Sequence, residues 1–411
     1  MGGARYKNCR TQIMAEKDGF VAKVVSGAIE KEKESLKALS HEIWSNPELN
    51  YEEVIAHKVL TDYLEAKGFA VDREFCNIKT AFRARFGSGS PNVCVICEYD
   101  ALPTIGHACG HNLISEAGVA AGLGVKAYLE TTGLTGTITV LGTPAEEGGG
   151  GKILLIERGA LKGIDMSMMV HPAPFEIIMP NHLSCAQLTV EFTGKAAHAA
   201  AFPWEGVNAL DAAVLAYTNI SLLRQQMKPS WRVHAVFTNG GTKPNIIPEK
   251  ASLHYYVRAP TSSELETLRA KVVSCFEAAA TATGCTMKTE PVGKIYKNVV
   301  CNPILGKMYE RNYRQLGVTD YEYSGDLTAS TDFGNFSQEV PGLHPRYCVG
   351  GGKVATHSPP FAGVANTLES HAKTLLVATT LGMTCVDVLK GGEKLLSEIK
   401  EEFDKQMAAL K

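Results

Sequence analysis

Three apolar, β-branched runs are each followed at once by a cluster of His, Cys or Glu. This pairing constrains the fold more than any other feature of the chain. VCVICEY (93–99) runs into DALPTIGHACGHN, TITVLGT (137–143) into PAEEGGGG, and MSMMV (166–170) into HPAP. Uninterrupted apolar runs of this length suit strands buried on both faces. Between them lie an Ala/Gly-rich helical segment, about 113–130, with Asn112 available as N-cap, and a shorter helix near 153–158. Strands alternating with helices predict a parallel α/β sheet. Open parallel sheets bind ligands at the C-terminal edge of their strands, which is where these clusters fall.

The rest of the chain fits around that sheet. Residues 1–24 read as a loose leader. A helix is expected from about Ser26, with Ile29, Leu36, Leu39 and Ile43 on one face, until Pro47 stops it. A second, about 52–67, ends at Gly68. The middle changes character. A half-buried alternating strand is expected at 185–194, two more alternating strands at 232–241 and 252–259, and a last strand at 287–297 closes the block. Helices are expected at about 206–227 and from a Thr261–Glu264 capping box to about Thr283. The order β-α-β-β-α-β is the split ferredoxin-like motif. The expected organisation is therefore a leader (1–24), a parallel-sheet α/β domain (25–183 and 298–411) and an α+β domain inserted at 184–297. Two long helices, about 366–389 and 393–408, close the chain.

Composition narrows the function. Lys plus Arg is 41 and Asp plus Glu is 43, a formal net charge of −2, so no basic excess favours nucleic acid or anionic membranes. Apolar residues make up 45% and charged residues 20%, as in soluble globular chains. No run approaches the roughly 18 uninterrupted apolar residues of a membrane span. The N-terminal stretch is charged throughout, unlike a signal peptide, and Tyr6 stands where a myristoylation signal has Ser or Thr. The 11 cysteines have no framework spacing and read as reduced thiols, so a cytoplasmic location is expected.

The candidate metal ligands are Cys109 and His111 in GHACGHN, Glu146 and Glu147 in TPAEEG, His171 in VHPAP and His357 in ATHSPPF. Cys, His and carboxylate are the donor set for zinc and similar divalent ions. If Glu146 is left out and a Cys109 thiolate bridges two ions, the other four ligands divide two per ion. Each ion then has three protein ligands and one position for a shared water, the pattern of a catalytic site. Glu146 is the spare carboxylate, placed to take a proton from water and return it to a leaving amine. Asp100, after the first strand, is positioned to accept the second ring N–H of a ligand histidine.

Each residue also has a plainer reading. A lone buried Cys is usually a small core hydrophobe, a Glu pair a solvated loop, and His171 a strand end. Four such clusters at strand ends or loops of one sheet favour the metal reading. GGGGK (148–152) is not a phosphate loop, because Ile153 follows the Lys where Ser or Thr is required. Cys109 as a catalytic thiol is the alternative chemistry, though its histidine neighbours suit ligation better. His107 reads as structural. His198, in GKAAHAA, reads as a surface turn residue or as a group that meets the substrate carbonyl.

These motifs resemble the dinuclear-metal peptidase and amidohydrolase family of aminoacylases, hippurate hydrolase and auxin-conjugate hydrolases. The series HEIWSNPELNYEE, EYDALPTIGHACGHN, TPAEEGGGG, VHPAP, FTGKAAHAA, NGGTKPNIIPEKASLHYYVRAP, STDFGN and HSPPF covers nearly the whole chain after the leader. HACGHN followed by Leu113 and Ile114, NGGTKPNIIPE and STDFGN look most like the β-alanyl-lysine dipeptidase and aminobenzoyl-glutamate hydrolase branch. Asn112 stands where other branches more often have Asp. The resemblance implies Cys109, His111, Glu147, His171 and His357 as ligands of two divalent ions, zinc or alternatively manganese, with Glu146 as general acid/base. It implies that the inserted domain is a lid and dimerisation domain. His198 and Asn245 would help hold the substrate carbonyl and carboxylate, in many relatives from the partner subunit, and Arg258 is a candidate clamp for the free carboxylate, its plainer reading being a lid-surface ion pair. The expected activity is hydrolysis of a β-alanyl- or γ-aminobutyryl-type dipeptide by a homodimer. Alternatives are an N-acyl-amino-acid amidohydrolase and an inactive binding or regulatory relative.

Overall fold

The computed structural model describes residues 19–410. Residues 1–18 of the expected leader, Tyr6 among them, lie outside the described residues. From 19 to 24 the chain is already helical, in a helix α1 (19–31) that buries Val21, Val25 and Ile29. The chain then forms α2 (Lys33–Ser45), α3 (Val54–Ala66), β1 (Ala70–Arg73), β2 (Phe82–Ser88), β3 (Asn92–Glu98) and α4 (His111–Thr132). It continues through β4 (Gly136–Thr143), α5 (Gly151–Glu157), β5 (Met166–Met168), β6 (His171–Ala173) and β7 (Ile177–Asn181). Next come β8 (Ser184–Thr193), α6 (Ala209–Leu223), β9 (Arg232–Asn239), β10 (Lys250–Ala259), α7 (Ser262–Thr283) and β11 (Thr286–Tyr296). The remainder is α8 (Pro303–Gln315), β12 (Glu322–Asp326), α9 (Phe333–Phe336), β13 (Gly342–Leu343), β14 (Arg346–Cys348), α10 (Pro359–Val364) and α11 (Leu368–Ala409).

Two compact units result. The first runs to Asn181 and adds Val299–Asp326 and Asn335–Ala409; the second is His182–Asn298 with Leu327–Gly334. In the first, a six-stranded sheet has the order β1-β2-β4-β3-β5-β13, and β3 pairs parallel with both β4 and β5. Val93, Val95 and Ile96 of β3 are buried, each worth about 1.5–3 kcal/mol of transfer free energy. α4 packs on β3 and β4 at very short range. A Cβ added at Gly118 would lie 2.6 Å from Cys97 Sγ and 2.8 Å from Ile96 O, which explains the small residues of this helix. α11 covers α4 and α8, with a break at Gly392 (φ 57°). It is long and apolar enough to cross a membrane, yet 78% of its apolar window is buried in the protein.

Two local expectations change. Asn112 is not the N-cap of α4. Gly110, with φ 80°, takes that position, and Asn112 sits inside the first turn, donating to Ser40 Oγ (3.0 Å) and Ala365 O (2.9 Å). His171 does not end the third buried strand. The chain leaves the first sheet after Met168 and His171 opens β6, in a separate sheet of order β12-β7-β14-β6.

The second unit is antiparallel, with strand order β11-β8-β10-β9 and helices α6 and α7 packed on it, the split β-α-β-β-α-β arrangement. Asn208 caps α6 through its side chain. Only half of the expected capping box forms. Thr261 Oγ1 accepts the Glu264 N–H at 3.2 Å, whereas the Glu264 carboxylate is drawn to Lys228 (2.9 Å) and Trp231 Nε1 (2.5 Å).

Candidate metal centre

The ends of β3 and β4, the start of α4, the start of β6 and the segment before α10 bring four donor segments of the first unit together. Cys109 and His111 flank Gly110, whose left-handed backbone turns the chain into α4. Glu146 and Glu147 follow β4. Ala145, just before them, also has a left-handed backbone (φ 59°), and so does His357 (φ 60°). Non-glycine residues held there carry strain of about 1–3 kcal/mol, which surrounding contacts must offset. The His357 N–H supplies one such contact, donating to Ala108 O at 2.8 Å.

The donor atoms form three sets, within each of which all lie no more than 4.8 Å apart. They are Cys109, His111 and His171; Cys109, Glu147 and His357; and His111, Glu146 and Glu147. The first two share Cys109 and nothing else. Cys109 Sγ is 3.4 Å from His171 Nε2, and His357 Nε2 is 3.4 Å from Glu147 Oε1. Ligands of a tetrahedral zinc stand about 3.3–3.8 Å from one another. His111 Nε2 lies 3.8 Å from Glu147 Oε1 and 4.0 Å from Glu146 Oε2. His111 Nε2 and Glu147 Oε1 are buried and have no hydrogen-bond partner among the described residues. Buried polar atoms rarely stay unpaired, and a cation satisfies both. The donor set therefore fits divalent ions.

The surroundings orient these donors. His111 Nδ1 is 3.0 Å from Asp100 Oδ1, leaving Nε2 to face the cluster, and Asp100 Oδ2 accepts the Glu147 N–H at 2.8 Å. Burial works against ionised Asp100, but the charge of His111 and their hydrogen bond hold its carboxyl below the usual range. Burial and the Glu147 carboxylate push the Cys109 thiol up, so a cation is what would hold it as thiolate. His107 donates from Nε2 to Ile43 O at 3.0 Å, and burial pushes its pKa down to about 4, the state of a structural imidazole.

His198, Asn245 and Arg258 belong to the second unit. The backbones at His198 and Ile246 pair, and the Ala199 N–H donates to Asn245 O at 3.0 Å, so His198 and Asn245 are neighbours with exposed side chains. Arg258 lies apart from them on β10, donating to Ser330 Oγ at 2.9 Å with its guanidinium 5.4 Å from the Tyr256 ring centre.

Known proteins share this chain's sequence and fold. Residues 182–283 match the peptidase dimerisation domain family. The Xaa-Arg dipeptidase of Mus musculus is 47% identical over 391 residues, 91% of this chain and 90% of that protein. The chain belongs to the M20 peptidase family. One of the p-aminobenzoyl-glutamate hydrolase subunits of Escherichia coli is 35% identical over 287 residues, 65% of this chain and 60% of that protein. A dinuclear metal binding M20 peptidase from Bacillus subtilis shares the fold, with a TM-score of 0.66 and 19% identity over 87% of this chain and 99% of that one. The protein is thus a hydrolase, a metal-dependent peptidase or amidohydrolase.

Three features of this M20 site escape the sequence reading. Glu53, fully buried, accepts the Ala145 N–H at 2.8 Å and the Tyr51 N–H at 3.0 Å. With Tyr51 Oη on Gly149 O (2.8 Å) and Asn50 Nδ2 on Glu147 O (3.3 Å), segment 50–53 clasps the Glu146 loop. Glu98 Oε1 meets Lys152 Nζ at 2.5 Å in a wholly buried pair, and Glu98 Oε2 lies 3.6 Å from His111 Nε2. Arg346, opposite His171 in the β14–β6 ladder, is buried in the field of Cys109, Glu146, Glu98 and Glu147. Glu53 lies in NPELNYEE, Glu98 in EYDALPTIGHACGHN and Lys152 in GGGGK, yet nothing in those motifs points to these contacts, and Arg346 lies in none of them.

Proposed function

We propose that the enzyme is a two-metal dipeptidase that releases a basic amino acid from a small dipeptide, with β-alanyl or γ-aminobutyryl groups on the acyl side. The observation that carries the reading is the pair of three-donor sets joined only at Cys109, with Glu146 beside them. The 47% identity with a protein named Xaa-Arg dipeptidase supports the basic leaving residue. In this proposal Cys109, His111 and His171 hold one ion and Cys109, Glu147 and His357 the other, zinc in preference to manganese. His198, Asn245 and Arg258 engage the substrate. The enzyme works as a homodimer in the cytoplasm, consistent with the described cysteines all being free thiols.

When bound, two divalent ions would polarise the scissile carbonyl and lower the pKa of the attacking water. The chain's own groups supply the rest. Glu146 accepts the water proton on its carboxylate and passes it to the nitrogen of the leaving amino acid. Asp100 fixes His111 in the tautomer that keeps Nε2 free of a proton. Lys152 and Arg346 offset the negative charge of Glu98, Glu146 and Glu147.

The test compares β-alanyl-lysine, β-alanyl-arginine and γ-aminobutyryl-lysine with N-acetyl and N-benzoyl amino acids and p-aminobenzoyl-glutamate. Released amino acid is measured with metal-loaded and chelated enzyme. Higher kcat/KM for the basic dipeptides, lost on chelation and restored by metal, is expected. Higher kcat/KM for simple N-acyl amino acids replaces the dipeptidase by an aminoacylase. Turnover that survives chelation and dies with a thiol alkylator restores the Cys109 nucleophile.

A further inference from the structure

Beside α4, the first unit has a half-open pocket of about 270 Å³, bounded by α2, α4, the 365–367 segment and α11. Its lining includes Lys37, Ser40, Leu113, Glu116, Asn366 and His371. Glu116 is fully buried and pairs through Oε1 with His371 Nδ1, itself nearly buried. Glu116 Oε2 and His371 Nε2 have no partner at full hydrogen-bond distance among the described residues, and besides His371 the Ser40 hydroxyl is the neighbouring donor that acts on the Glu116 carboxyl. An unpaired carboxylate oxygen in a buried site is costly, and its presence beside a cavity calls for an occupant that donates to it.

The charges define that occupant. Glu116 supplies an anion on the buried side, against which a ligand ammonium is complementary. Lys37 supplies a cation at the outer side; it is 43% exposed and only loosely paired, 3.9 Å from Glu34 Oε2. His41 also lines the cavity, but its ring nitrogens are engaged with Asn366 Oδ1 (3.1 Å) and Ser45 Oγ (3.3 Å). Leu113 adds an apolar wall. The volume falls just below the roughly 300–1,000 Å³ of sites for drug-sized ligands, which suits a small metabolite. Burial raises the pKa of Glu116, and an ammonium against Oε2 would favour its ionised form.

We propose that this cavity is a second ligand site that binds a free α-amino acid, its ammonium on Glu116 and its carboxylate on Lys37. The position gives the site leverage. Glu116 lies on α4, whose first residue is His111, and the 365–367 wall follows α10, which begins two residues after His357. Asn112 ties these walls together through Ser40 Oγ and Ala365 O. An occupant therefore contacts both chain segments that lead from metal-centre histidines. The binding site itself does not depend on the reaction proposed above.

The test titrates metal-loaded enzyme with free lysine, arginine, leucine and alanine by calorimetry and locates the bound amino acid by crystallography. Wild type, Lys37→Glu, Asn366→Trp and Glu116→Gln are compared at equal metal content. Density for the amino acid in the cavity is expected, with binding there weakened on the order of tenfold or more in Lys37→Glu and blocked in Asn366→Trp. Glu116→Gln should weaken it likewise; if that buried variant does not fold, the two rim variants decide. Isotherms unchanged in both rim variants, or density only at the metal centre, overturn the proposal.

Discussion

The buried carboxylate of Glu53 accepts the backbone N–H of Ala145 at 2.8 Å, one residue before Glu146. Ala145 holds a left-handed backbone (φ 59°), so this bond helps fix a strained turn that aims the proposed acid/base. Glu53→Ala should lower kcat by about 100-fold while metal content stays near wild type, because a misplacement of about 1 Å is worth that much. Glu53→Gln keeps an acceptor oxygen and should recover most of the loss. Equal kcat in wild type and Glu53→Ala would remove Glu53 from this positioning role.

Glu53 also makes stability depend on pH. Burial, and then the charge of Asp100, hold its carboxyl up at about 7 against an ordinary 4.5. The folded state therefore favours the protonated form. That stabilisation is fully present below the unfolded pKa and is lost as pH rises through the folded value, across the window from 4.5 to about 7. At one unit per 1.36 kcal/mol, the loss approaches about 3 kcal/mol. Denaturant unfolding of wild type and Glu53→Gln at equal metal load should show the difference between them changing across that window. A difference independent of pH would contradict the raised value.

How much of this was legible in sequence depends on the kind of signal. The buried runs of β3 and β4 and the alternating strands β8 and β10 announce themselves through periodicity, because burial on one or two faces imposes it. Cys109, His111, Glu147, His171 and His357 stand out because such residues are chemically conspicuous beside apolar strands. Glu98 and Lys152 do not, since their pairing exists only after β3 and α5 pack. Arg346 is invisible for the same reason: its neighbour His171 comes from a strand 175 positions earlier. Asn112 and Glu264 were misread locally. Gly110 reaches a backbone that Asn112 would adopt at greater cost, and Lys228 and Trp231 compete for the Glu264 side chain.

Asp100 holds His111 Nδ1 at 3.0 Å and also receives the Glu147 N–H, so it touches two proposed ligands. Asp100→Asn can accept from only one of them through its single carbonyl oxygen and presents an N–H to the other. The His111 tautomer should then be lost, or the Glu147 backbone should shift. Metal affinity should fall about 10–100-fold. Competition with a chromophoric chelator measures this. An unchanged dissociation constant would mean that His111 is not a ligand or that its tautomer is fixed by another group.

Glu146 lies with His111 and Glu147 in one donor set but outside the two sets joined at Cys109. Its replacement should therefore separate catalysis from binding. Glu146→Gln is expected to keep both ions and the folded state while losing about 10²–10⁴-fold in kcat, the usual worth of general acid–base catalysis. Metal analysis beside steady-state kinetics reads both. A variant that loses one ion would make Glu146 a ligand, and a fully active one would leave proton transfer to another group.

The last prediction concerns self-association of the second unit, whose residues 182–283 match the peptidase dimerisation domain family. β9 is an edge strand and exposes Val236 (62%) and Phe237 (43%). On α6, Tyr217 packs against Phe237 at 5.8 Å between ring centres, and Leu222 is 71% exposed. An open strand edge flanked by apolar side chains is a ready surface for a second copy, which would pair the free backbone groups and cover the patch. Adding charge along this edge should oppose both effects. Val236→Lys combined with Leu222→Glu should convert the proposed dimer to a folded monomer, halving the mass seen by light scattering, with metal content unchanged. If the monomer keeps full kcat/KM, His198 and Asn245 do not act across subunits. If the mass stays that of a dimer, the subunits associate through a surface other than β9 and α6.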